Sequence, residues 1–462
     1  MKKSLVLLLL FLSATVFAQD INGKWNGLLK FTGGQLRLSI NITKTATGYS
    51  ATMDSPDQGA AGIPVTTITF ANNDLMFAIP AGGIEYKGKY DGKGFTGTFS
   101  QNGFAIPLTL GRDEVELVKV KRPQDPAQPY PYREEEVAFQ SGNIKLAGTL
   151  TLPAKEGVYP AVVLITGSGP QNRDEELMDH RPFLVLADYL TRNGIAVLRY
   201  DDRGVAKSEG NFETATTKDF ADDAAAAFKY LNSRKDINKK KIGLIGHSEG
   251  GIIAPMVAVE NPEVAFIVLM AGTAIPGDDL MMLQSYSIGK AGGMPEEELK
   301  KLSAINRQAY NIIKQERNPR DVESKLTQLY AAELKPVLTL QNLPAEKVQE
   351  YIDMQVSTLT SPWYINFIKY DPAPTLAKVK CPILAINGDK DLQVSAKANL
   401  PAITRATEKG GNKRVTVKSL PGLNHLFQEA ATGQPSEYAK IEQTISPIAL
   451  AEIQGWVQKQ VK

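Results

Sequence analysis

One serine in the sequence is flanked by residues that would make it a nucleophile. Ser248 is the centre of residues 246–250, Gly-His-Ser-Glu-Gly, and another glycine follows them. The apolar residues before this pentapeptide indicate a buried strand and residues 252–259 indicate a helix, so Ser248 would lie at a sharp strand-to-helix turn. Glycines suit such a turn because the neighbouring backbones crowd together there. The pentapeptide is weak evidence by itself, and this context is what predicts a nucleophilic serine.

A serine hydroxyl is a poor nucleophile without a base, and the chain offers only three histidines. His247 lies inside the pentapeptide, where its side chain would point away from that of Ser248. His180 precedes the strand that carries the nucleophile. His425 follows the predicted strand at 415–420, and only His425 satisfies the order serine, acid, histidine that accompanies a serine on this kind of turn. We therefore predict that His425 is the base.

An acid is needed between Ser248 and His425 to fix the imidazole tautomer and to stabilise the imidazolium. This acid is expected directly after a strand. The apolar run at 383–387 is followed by Asp389 and Asp391, and both of these aspartates meet the two conditions.

An oxyanion hole needs two backbone N–H groups directed at the developing negative charge. Glu249, the residue after the nucleophile, would supply one of them. The other is expected after the predicted strand that ends at Thr166, where residues 167–170 read Gly-Ser-Gly-Pro and the glycines permit close backbone approach. We assign this second donor to the N–H of Ser168.

Two other groups of residues have both a structural and a functional interpretation. Residues 201–204, Asp-Asp-Arg-Gly, follow the predicted strand at 195–200. They could contact the substrate, but we favour a salt-bridged brace between neighbouring loops. Trp363, Tyr364 and Phe367 could line an acyl pocket or belong to a core, and the sequence favours neither interpretation.

The elements that position these residues follow a proline-rich segment. Residues 19–120 contain short runs of alternating apolar and polar residues separated by turns, which predicts a small antiparallel barrel or sandwich. This region has no catalytic motif, so we favour a scaffold or substrate-side wall over an independent binding module. Residues 121–132 are predicted to be a linker, because the four prolines between positions 123 and 132 block both helix and ladder.

Residues 133–462 show a different pattern, in which apolar runs alternate with helices. Such a pattern predicts an α/β fold with a mostly parallel sheet that is covered by helices on both faces. Residues 276–370 are helical in pattern, charged and without strand signals. They are predicted to be a cap inserted over the carboxyl edge of the sheet, where open α/β sheets hold their sites.

The N-terminus predicts export. Lys2 and Lys3 precede an apolar run at 5–12, and small residues at 16 and 18 favour a secretory signal peptide that is cut after Ala18. The run is too short to span a bilayer, and no later stretch has the length of a membrane helix. With a single cysteine, Cys381, the protein would have no internal disulfide, which suits a bacterial periplasm or exterior.

Charge and composition narrow the classes of partner. Removal of the signal peptide takes away two lysines and no acid, so the net charge of +2 becomes zero. A protein without net charge gives no electrostatic reason to expect nucleic-acid binding. Histidines that lie far apart and the lack of a cysteine cluster make a poor metal site, and no cofactor is expected.

Four runs together resemble the α/β-hydrolase superfamily and, more closely, secreted bacterial carboxylesterases with a small N-terminal β domain. They lie within residues 133–462 and occupy positions 167–174, 198–204, 246–250 and 387–394. The resemblance implies the α/β-hydrolase fold and hydrolysis of small-molecule, short-chain carboxylic esters through an acyl-enzyme on Ser248. The sequence Thr-Gly-Ser-Gly at 166–169 replaces the His-Gly-Gly-Gly loop of many lipases, which argues against long-chain lipase activity.

The resemblance also distinguishes the two aspartates. Gly388, Asp391 and Val394 have the spacing of that superfamily's acid turn, so Asp391 is favoured as the acid and Asp389 is expected to cap the turn. The predicted triad is therefore Ser248, Asp391 and His425.

Three alternatives remain beside the carboxylesterase. A serine peptidase of the prolyl-oligopeptidase kind shares the triad order, but about 100 N-terminal residues cannot supply a propeller of four-stranded blades. A thioesterase or acyltransferase would differ only in the shape of its pocket. An idle hydrolase whose β domain binds a glycan or a partner is disfavoured by the complete triad. Neither the natural substrate nor the oligomeric state is predicted.

Overall fold

The computed structural model describes residues 20–31, 34–58, 60–101, 104–116, 122–340 and 345–462. The predicted signal peptide at 1–18 lies outside the described residues. The chain divides between Val118 and Lys119 into two compact units. A search of the helices in these ranges finds none with the length and apolar character needed to cross a membrane.

The first unit is built from antiparallel strands. Its strands are β1 (Gly23–Phe31), β2 (Gly34–Thr45), β3 (Gly48–Ser55), β4 (Ala60–Pro64), β5 (Thr67–Ala71), β6 (Asp74–Ile79), β7 (Ile84–Tyr90), β8 (Phe95–Gln101) and β9 (Phe104–Gly111). Among the residues described here, these nine strands form one sheet in the order β4-β3-β2-β1-β9-β8-β7-β6-β5. The predicted antiparallel β domain is therefore confirmed.

The sheet of the first unit curls around an apolar core. Strands β3 and β5 are in contact although six strands separate them in the described sheet order. Side chains of alternating strand positions fill the interior, with Trp25, Tyr86, Phe95 and Phe99 almost fully buried. Strands such as β6 and β7 bury alternate residues and expose the others, so the period-two pattern of the sequence explains this arrangement.

The second unit contains a mixed sheet. Its strands are β10 (Arg133–Ser141), β11 (Ile144–Leu152), β12 (Tyr159–Ile165), β13 (Ala196–Tyr200), β14 (Ile237–His247), β15 (Phe266–Met270), β16 (Ile383–Gly388) and β17 (Val415–Leu420). They lie in the order β10-β11-β13-β12-β14-β15-β16-β17. The hairpin β10–β11 and the pair β11–β13 are antiparallel, and the pairs from β13 to β17 are parallel. The carboxyl ends of β12 to β17 therefore meet at one edge.

Helices cover both faces of this sheet. The helices are α1 (Pro182–Arg192), α2 (Thr217–Ser233), α3 (Gly250–Glu260), α4 (Gly277–Ala291), α5 (Glu296–Gln315), α6 (Pro319–Leu340), α7 (Ala345–Thr360), α8 (Pro362–Lys369), α9 (Ala373–Leu376), α10 (Ala396–Lys409) and α11 (Pro447–Val461). Val162 and Leu164 share a core with α1 and α11, whereas Val163 and Ile165 share another core with α2, α3 and α10. Because successive strand residues face opposite sides, strands covered on both faces appear in sequence as continuous apolar runs.

The insertion between β15 and β16 is helical, as predicted. Helices α4 to α8 occupy it and have a core of their own, which includes Tyr310, Ile313, Leu326 and Ile352. The buried carboxylate of Asp278 in α4 contacts two cations of α5 at 2.9 Å. The insertion is thus a packed helical subdomain.

The proline-rich segment at 122–132 contains neither helix nor strand, as its prolines require. It is nevertheless anchored on the rest of the second unit, to which it belongs. The guanidinium of Arg122 is buried and donates to the carbonyl oxygens of Ile441 and Met178 at 2.6 and 2.7 Å. Gln124 accepts the N–H of Thr444 at 2.6 Å. The described part of the predicted linker is therefore held in place by hydrogen bonds to the second unit.

Candidate active site

The backbone at Ser248 is strained. Ser248 lies between the end of β14 at His247 and the start of α3 at Gly250, and it has a φ of 52°. A non-glycine residue in this left-handed region costs free energy, and such residues concentrate at functional sites. The N–H of Ser248 donates to the carbonyl oxygen of Met270 in β15 at 2.8 Å, which holds the turn against the neighbouring strand.

Three glycines around the turn occupy places where backbones cross. A Cβ on Gly246 would lie 2.0 Å from the carbonyl oxygen of Gly250, and a Cβ on Gly250 would lie 2.2 Å from that of Ile165. A Cβ on Gly251 would lie 2.5 Å from Cα of Gly272. The glycines of the pentapeptide are therefore required by packing, as the sequence predicts.

The structure brings the predicted base and the favoured acid together. Nδ1 of His425 lies 2.8 Å from Oδ2 of Asp391, and the two side chains are only 5% and 0% exposed. The other carboxylate oxygen of Asp391 accepts the N–H groups of Gln393 and Val394, each at 2.8 Å. The two oxygens therefore have different roles. Oδ1 holds the turn after β16, and Oδ2 forms the hydrogen bond with the imidazole.

Asp389 has a different partner. Its Oδ1 accepts the N–H of Gly422 at 2.7 Å, and the N–H of the next residue, Lys390, donates to the carbonyl oxygen of Leu423 at 3.0 Å. Asp389 thus ties the acid turn to the loop that carries His425, which agrees with its expected capping role.

Asn424 holds the loop of the predicted base, and the sequence reasoning missed it. Its side chain is fully buried, and its Oδ1 accepts the N–H groups of Leu426 and Gln428 at 3.0 and 2.9 Å. Its Nδ2 donates to Oε1 of Gln428 at 2.9 Å. The available signal was an Asn directly before the candidate His, a residue type that commonly bonds its own backbone in turns.

The other two histidines have both ring nitrogens engaged elsewhere. His247 lies with Nδ1 2.9 Å from Oε1 of Glu175 and Nε2 3.0 Å from the carbonyl oxygen of His425. His180 is buried, with Nδ1 3.0 Å from Oγ1 of Thr444 and Nε2 2.9 Å from the carbonyl oxygen of Tyr438. These contacts agree with the choice of His425 by elimination.

The loop that carries the assigned donor Ser168 passes close to Ser248. A Cβ on Gly167 would lie 3.2 Å from Cβ of Ser248, so the loop after β12 touches the nucleophile. The N–H of Gly167 donates to Oε1 of Glu175 at 2.8 Å. In the described parts of the chain, the N–H groups of Ser168 and Glu249 donate to no other residue. Both are therefore available to a bound oxyanion, and the assignment stays a prediction.

We refer to residues 167–174, which follow β12 and contain the predicted donor Ser168, as the oxyanion loop. Buried carboxyl groups lie behind it. A cavity of about 10 Å³, the size of one water, is lined by Gly167, Tyr200, Asp202 and Glu249 among others. Burial raises the pKa of Asp202 well above its usual value, against the opposing hydrogen bond from Thr166. Burial also raises the pKa of Glu249, although the side chains of Thr217 and Trp363 donate to its carboxylate. Neutral carboxyl groups here would not repel an oxyanion.

The turn at 201–204 is a salt-bridged brace, which confirms the favoured interpretation. Arg173 contacts Asp201 at 2.7 Å and Glu136 at 2.8 Å, which joins the oxyanion loop to β10. Arg203 contacts Asp223 of α2 at 2.7 Å. Glu136 is exposed, but the pairs of Arg173 with Asp201 and of Arg203 with Asp223 are shielded from water and hold the loops at the sheet edge.

The three aromatic residues of α8 all pack against apolar clusters, which favours the core interpretation. Tyr364 packs in the cap core and its hydroxyl lies 3.1 Å from that of Tyr310, whereas Phe367 is buried beside α3. Trp363 is half-buried, and its indole N–H donates to Oε1 of Glu249 at 2.8 Å. Trp363 is therefore the member of this group that reaches the nucleophile turn.

No group of three or more His, Cys, Asp or Glu residues within the described ranges is arranged to hold a metal ion. The predicted site is built from side chains and backbone N–H groups at the carboxyl ends of β12, β14, β16 and β17. These are the groups that acyl transfer through a serine requires.

The chain is similar to several known proteins. Esterase EstD of Thermotoga maritima is 26% identical over 336 residues, which cover 72% of this chain and 70% of the relative. An esterase of Pyrococcus furiosus, PF2001, aligns with a TM-score of 0.43 and 18% identity over 74% of this chain and 97% of that one. Est1E of Butyrivibrio proteoclasticus, solved with ferulic acid, aligns with a TM-score of 0.41 and 16% identity over 70% of this chain and 99% of that one.

A family model identifies the group to which these strands and loops belong. The model described as serine aminopeptidase S33, Hydrolase_4, matches residues 181–429. The matched segment contains Ser248, Asp391 and His425, and it accounts for more than half of the chain. The protein belongs to this family of α/β hydrolases.

Proposed function

We propose that the protein is a serine carboxylesterase that hydrolyses short-chain carboxylic esters through an acyl-enzyme on Ser248. The observation that carries this proposal is the Asp391–His425 contact of 2.8 Å at the same sheet edge as the strained Ser248 turn. A buried carboxylate that accepts from Nδ1 leaves Nε2 of the imidazole unprotonated and able to take a proton.

The acylation step follows from these groups. His425 takes the hydroxyl proton as Oγ of Ser248 forms a bond to the ester carbonyl carbon. The N–H groups of Ser168 and Glu249 stabilise the oxyanion. The bond to the alcohol oxygen then breaks, and His425 returns its proton to the leaving alcohol.

Deacylation repeats the same steps with water. His425 removes a proton from the attacking water, the oxyanion forms again in the same place, and Ser248 leaves with the proton held by the imidazole. The products are a carboxylic acid and the regenerated hydroxyl.

Two features favour esters over peptides with a free amino group, although the family description names an aminopeptidase. The curated relative is named an esterase. An aminopeptidase needs an anionic group for the substrate ammonium, but the carboxylates of Glu175 and Glu249 are buried and already bonded to His247, Thr217 and Trp363. A neutral ester has no ammonium group and therefore needs no anionic partner in the site.

The apolar contacts beside the nucleophile turn favour short acyl groups. Ile252 of α3, Leu280 and Phe367 of the cap, and Val394 of the acid turn form one buried cluster. These side chains fill the space between the cap and the elements that carry Ser248 and Asp391. A long acyl chain would have to displace them.

A panel of substrates tests the reaction class. The full chain without residues 1–18 is assayed with p-nitrophenyl acetate, butyrate and octanoate, an acetyl thioester, and aminoacyl p-nitroanilides. We expect the highest kcat/KM for acetate or butyrate, at least about tenfold above octanoate, because discrimination by a filled apolar pocket is of this order. A preference for the anilides would instead favour a peptidase, and turnover of none would favour a binding role.

We also propose that the protein is exported to the bacterial periplasm or exterior, from the Lys2-Lys3 start and the apolar run that follows. Expression of the full chain in a bacterial host and mass spectrometry of the periplasmic fraction test this proposal. The expected N-terminus is Gln19. Retention of uncleaved chain in the cytoplasm would contradict it.

A further inference from the structure

A second acid–histidine pair lies beside the proposed triad, and the steps above do not use it. Oε1 of Glu175 lies 2.9 Å from Nδ1 of His247, and both side chains are 7% exposed. We infer that Glu175 and His247 are positioning residues that fix the oxyanion loop and the His425 loop relative to Ser248. This inference rests on the proposed function, because it concerns the geometry of the same reaction.

Glu175 reaches the oxyanion loop directly. The same Oε1 that faces His247 accepts the N–H of Gly167 at 2.8 Å. This bond occupies the donor that precedes Ser168 and leaves the N–H of Ser168 for the substrate. Glu175 therefore determines which peptide of the loop presents its N–H at the nucleophile.

His247 reaches the loop of the base. Its Nε2 lies 3.0 Å from the carbonyl oxygen of His425, and the two imidazole rings are 4.8 Å apart at an angle of 44°. Since His247 directly precedes Ser248, this bond sets the distance between the nucleophile turn and the backbone of the base. One side chain thus links the two groups that exchange a proton.

The proton arrangement follows from the partners. A carbonyl oxygen only accepts, so Nε2 of His247 carries a hydrogen, and a hydrogen must also lie between Nδ1 and Glu175. Burial works to lower the pKa of His247, but the charge and hydrogen bond of Glu175, the carbonyl of His425 and the charge of Asp391 outweigh it and raise the pKa. An imidazolium–carboxylate pair satisfies both bonds.

The backbone at Glu175 is held in an unusual conformation. Glu175 has a φ of 52°, a value that a non-glycine residue rarely adopts, and its N–H donates to the carbonyl oxygen of Asn172 at 2.9 Å. The backbone is therefore strained at the residue whose carboxylate forms hydrogen bonds with both Gly167 and His247. Strain kept at such a point is expected of a functional constraint.

An amide at position 175 cannot satisfy all three bonds while His247 is neutral, and without the carboxylate charge a buried imidazolium is disfavoured. In Glu175→Gln, the amide oxygen can accept from Gly167 and from Nδ1–H of a neutral His247, but Nε2 then has no hydrogen for His425. The other tautomer keeps the bond to His425 and loses the bond to residue 175. This variant therefore loses a hydrogen bond that holds one of the two loops, while the size of the side chain at position 175 stays the same.

The experiment compares wild type, Glu175→Gln, His247→Gln, the double variant and the neighbouring control Glu176→Gln. Glu176 is exposed, and its carboxylate accepts from Asn172 Nδ2 at 3.1 Å. The readouts are kcat and KM for p-nitrophenyl acetate, and the affinity for a trifluoromethyl ketone, whose adduct with Ser248 carries an oxyanion.

We expect kcat to fall on the order of 10- to 100-fold in Glu175→Gln, because small displacements of catalytic groups have effects of this size, while KM changes less than about threefold. The affinity for the ketone should fall by a similar factor. Because the pair acts as a unit, the double variant should be no slower than the slower single variant. The control should stay within about twofold of wild type.

The inference alone is overturned if wild type is active and folded Glu175→Gln keeps kcat and ketone affinity within about twofold. Effects of the two single changes that multiply in the double variant would also overturn it. If Glu175→Gln is unfolded at the assay temperature, His247→Gln supplies the same comparison of kcat, KM and ketone affinity. A wild type without hydrolysis would overturn the proposed function first, and this inference with it.

Discussion

Oδ2 of Asp391 lies 2.8 Å from Nδ1 of His425, and both side chains are shielded from water. The neighbouring candidate Asp389 instead accepts the N–H of Gly422. The two carboxylates therefore differ in what they hold, since Asp391 orients an imidazole and Asp389 orients a peptide. Their roles can be separated by the same conservative change at each position.

Asp391→Asn should reduce kcat for p-nitrophenyl acetate by about 10⁴-fold, because an amide favours the wrong imidazole tautomer. Asp389→Asn keeps an oxygen for the N–H of Gly422 and should cost less than about tenfold. Steady-state kinetics of the two variants provide the comparison. A larger loss in Asp389→Asn would reverse the assignment of the acid.

Gly246→Ala should destabilise the protein strongly, because the new Cβ would lie 2.0 Å from the carbonyl oxygen of Gly250. Overpacking against backbone costs about 1–3 kcal/mol or more of unfolding free energy. Gly455→Ala is the matched control, since Gly455 lies inside α11 with nothing within 4 Å of its Cβ position. The control should gain about 0.5–1 kcal/mol, as helix-interior alanines do. Urea unfolding of both variants measures these values, and equal effects would refute the packing argument.

Asp202→Asn should remove a pH dependence of stability. Burial raises the pKa of Asp202, so the folded state keeps a proton that the unfolded state releases above about pH 4. Stability of wild type therefore falls as the pH rises above that value, until the folded group also ionises. An asparagine mimics the neutral acid, because it can donate to Thr166 and accept from Gln171.

The measurement is the difference in unfolding free energy between Asp202→Asn and wild type at pH 5 and pH 8. The unfolding free energy of the variant, relative to that of wild type, should increase as the pH rises. Asp278→Asn is the contrasting control, because it removes the negative charge that pairs with Arg307 and Lys314 and should lose about 1–3 kcal/mol at both pH values. If the difference between Asp202→Asn and wild type stays constant from pH 5 to pH 8, Asp202 is already ionised in the folded protein at pH 5 and the argument is contradicted.

Trp363→Phe should affect catalysis through Glu249. The change keeps a ring stacked on Phe367, 4.9 Å away, and removes the N–H that donates to Oε1 of Glu249. Since the buried carboxyl loses a donor next to Ser248, we expect kcat/KM for esters to fall about three- to tenfold and stability to fall by about 1 kcal/mol.

Trp456→Phe is the matched control for this change. Its indole N–H donates to Oγ1 of Thr416 at 3.2 Å, between α11 and β17. A similar loss of stability is expected there, with kcat/KM within about twofold of wild type. Equal losses of kcat/KM in the two variants would show that Trp363 acts only through stability.

The sequence predicts the parts of the fold and site that depend on local pattern. Continuous apolar runs indicate strands buried on both faces, and the glycines around Ser248 indicate a crowded turn. The roles of Glu175 and His247 depend on contact between residues 72 positions apart, and no local pattern encodes such an approach. The anchoring of Arg122 is similar, because its carbonyl partners in the C-terminal region have no sequence signature.

A fluorophosphonate probe tests the nucleophile most directly. Wild type and Ser248→Ala are incubated with the probe, digested and mapped by mass spectrometry, and hydrolysis of p-nitrophenyl acetate is followed in parallel. We predict a single adduct on Ser248 in wild type, no adduct in Ser248→Ala, and a fall in kcat on the order of 10⁶-fold with an unchanged melting temperature. Labelling of another serine, or retained hydrolysis by folded Ser248→Ala, would contradict the assignment.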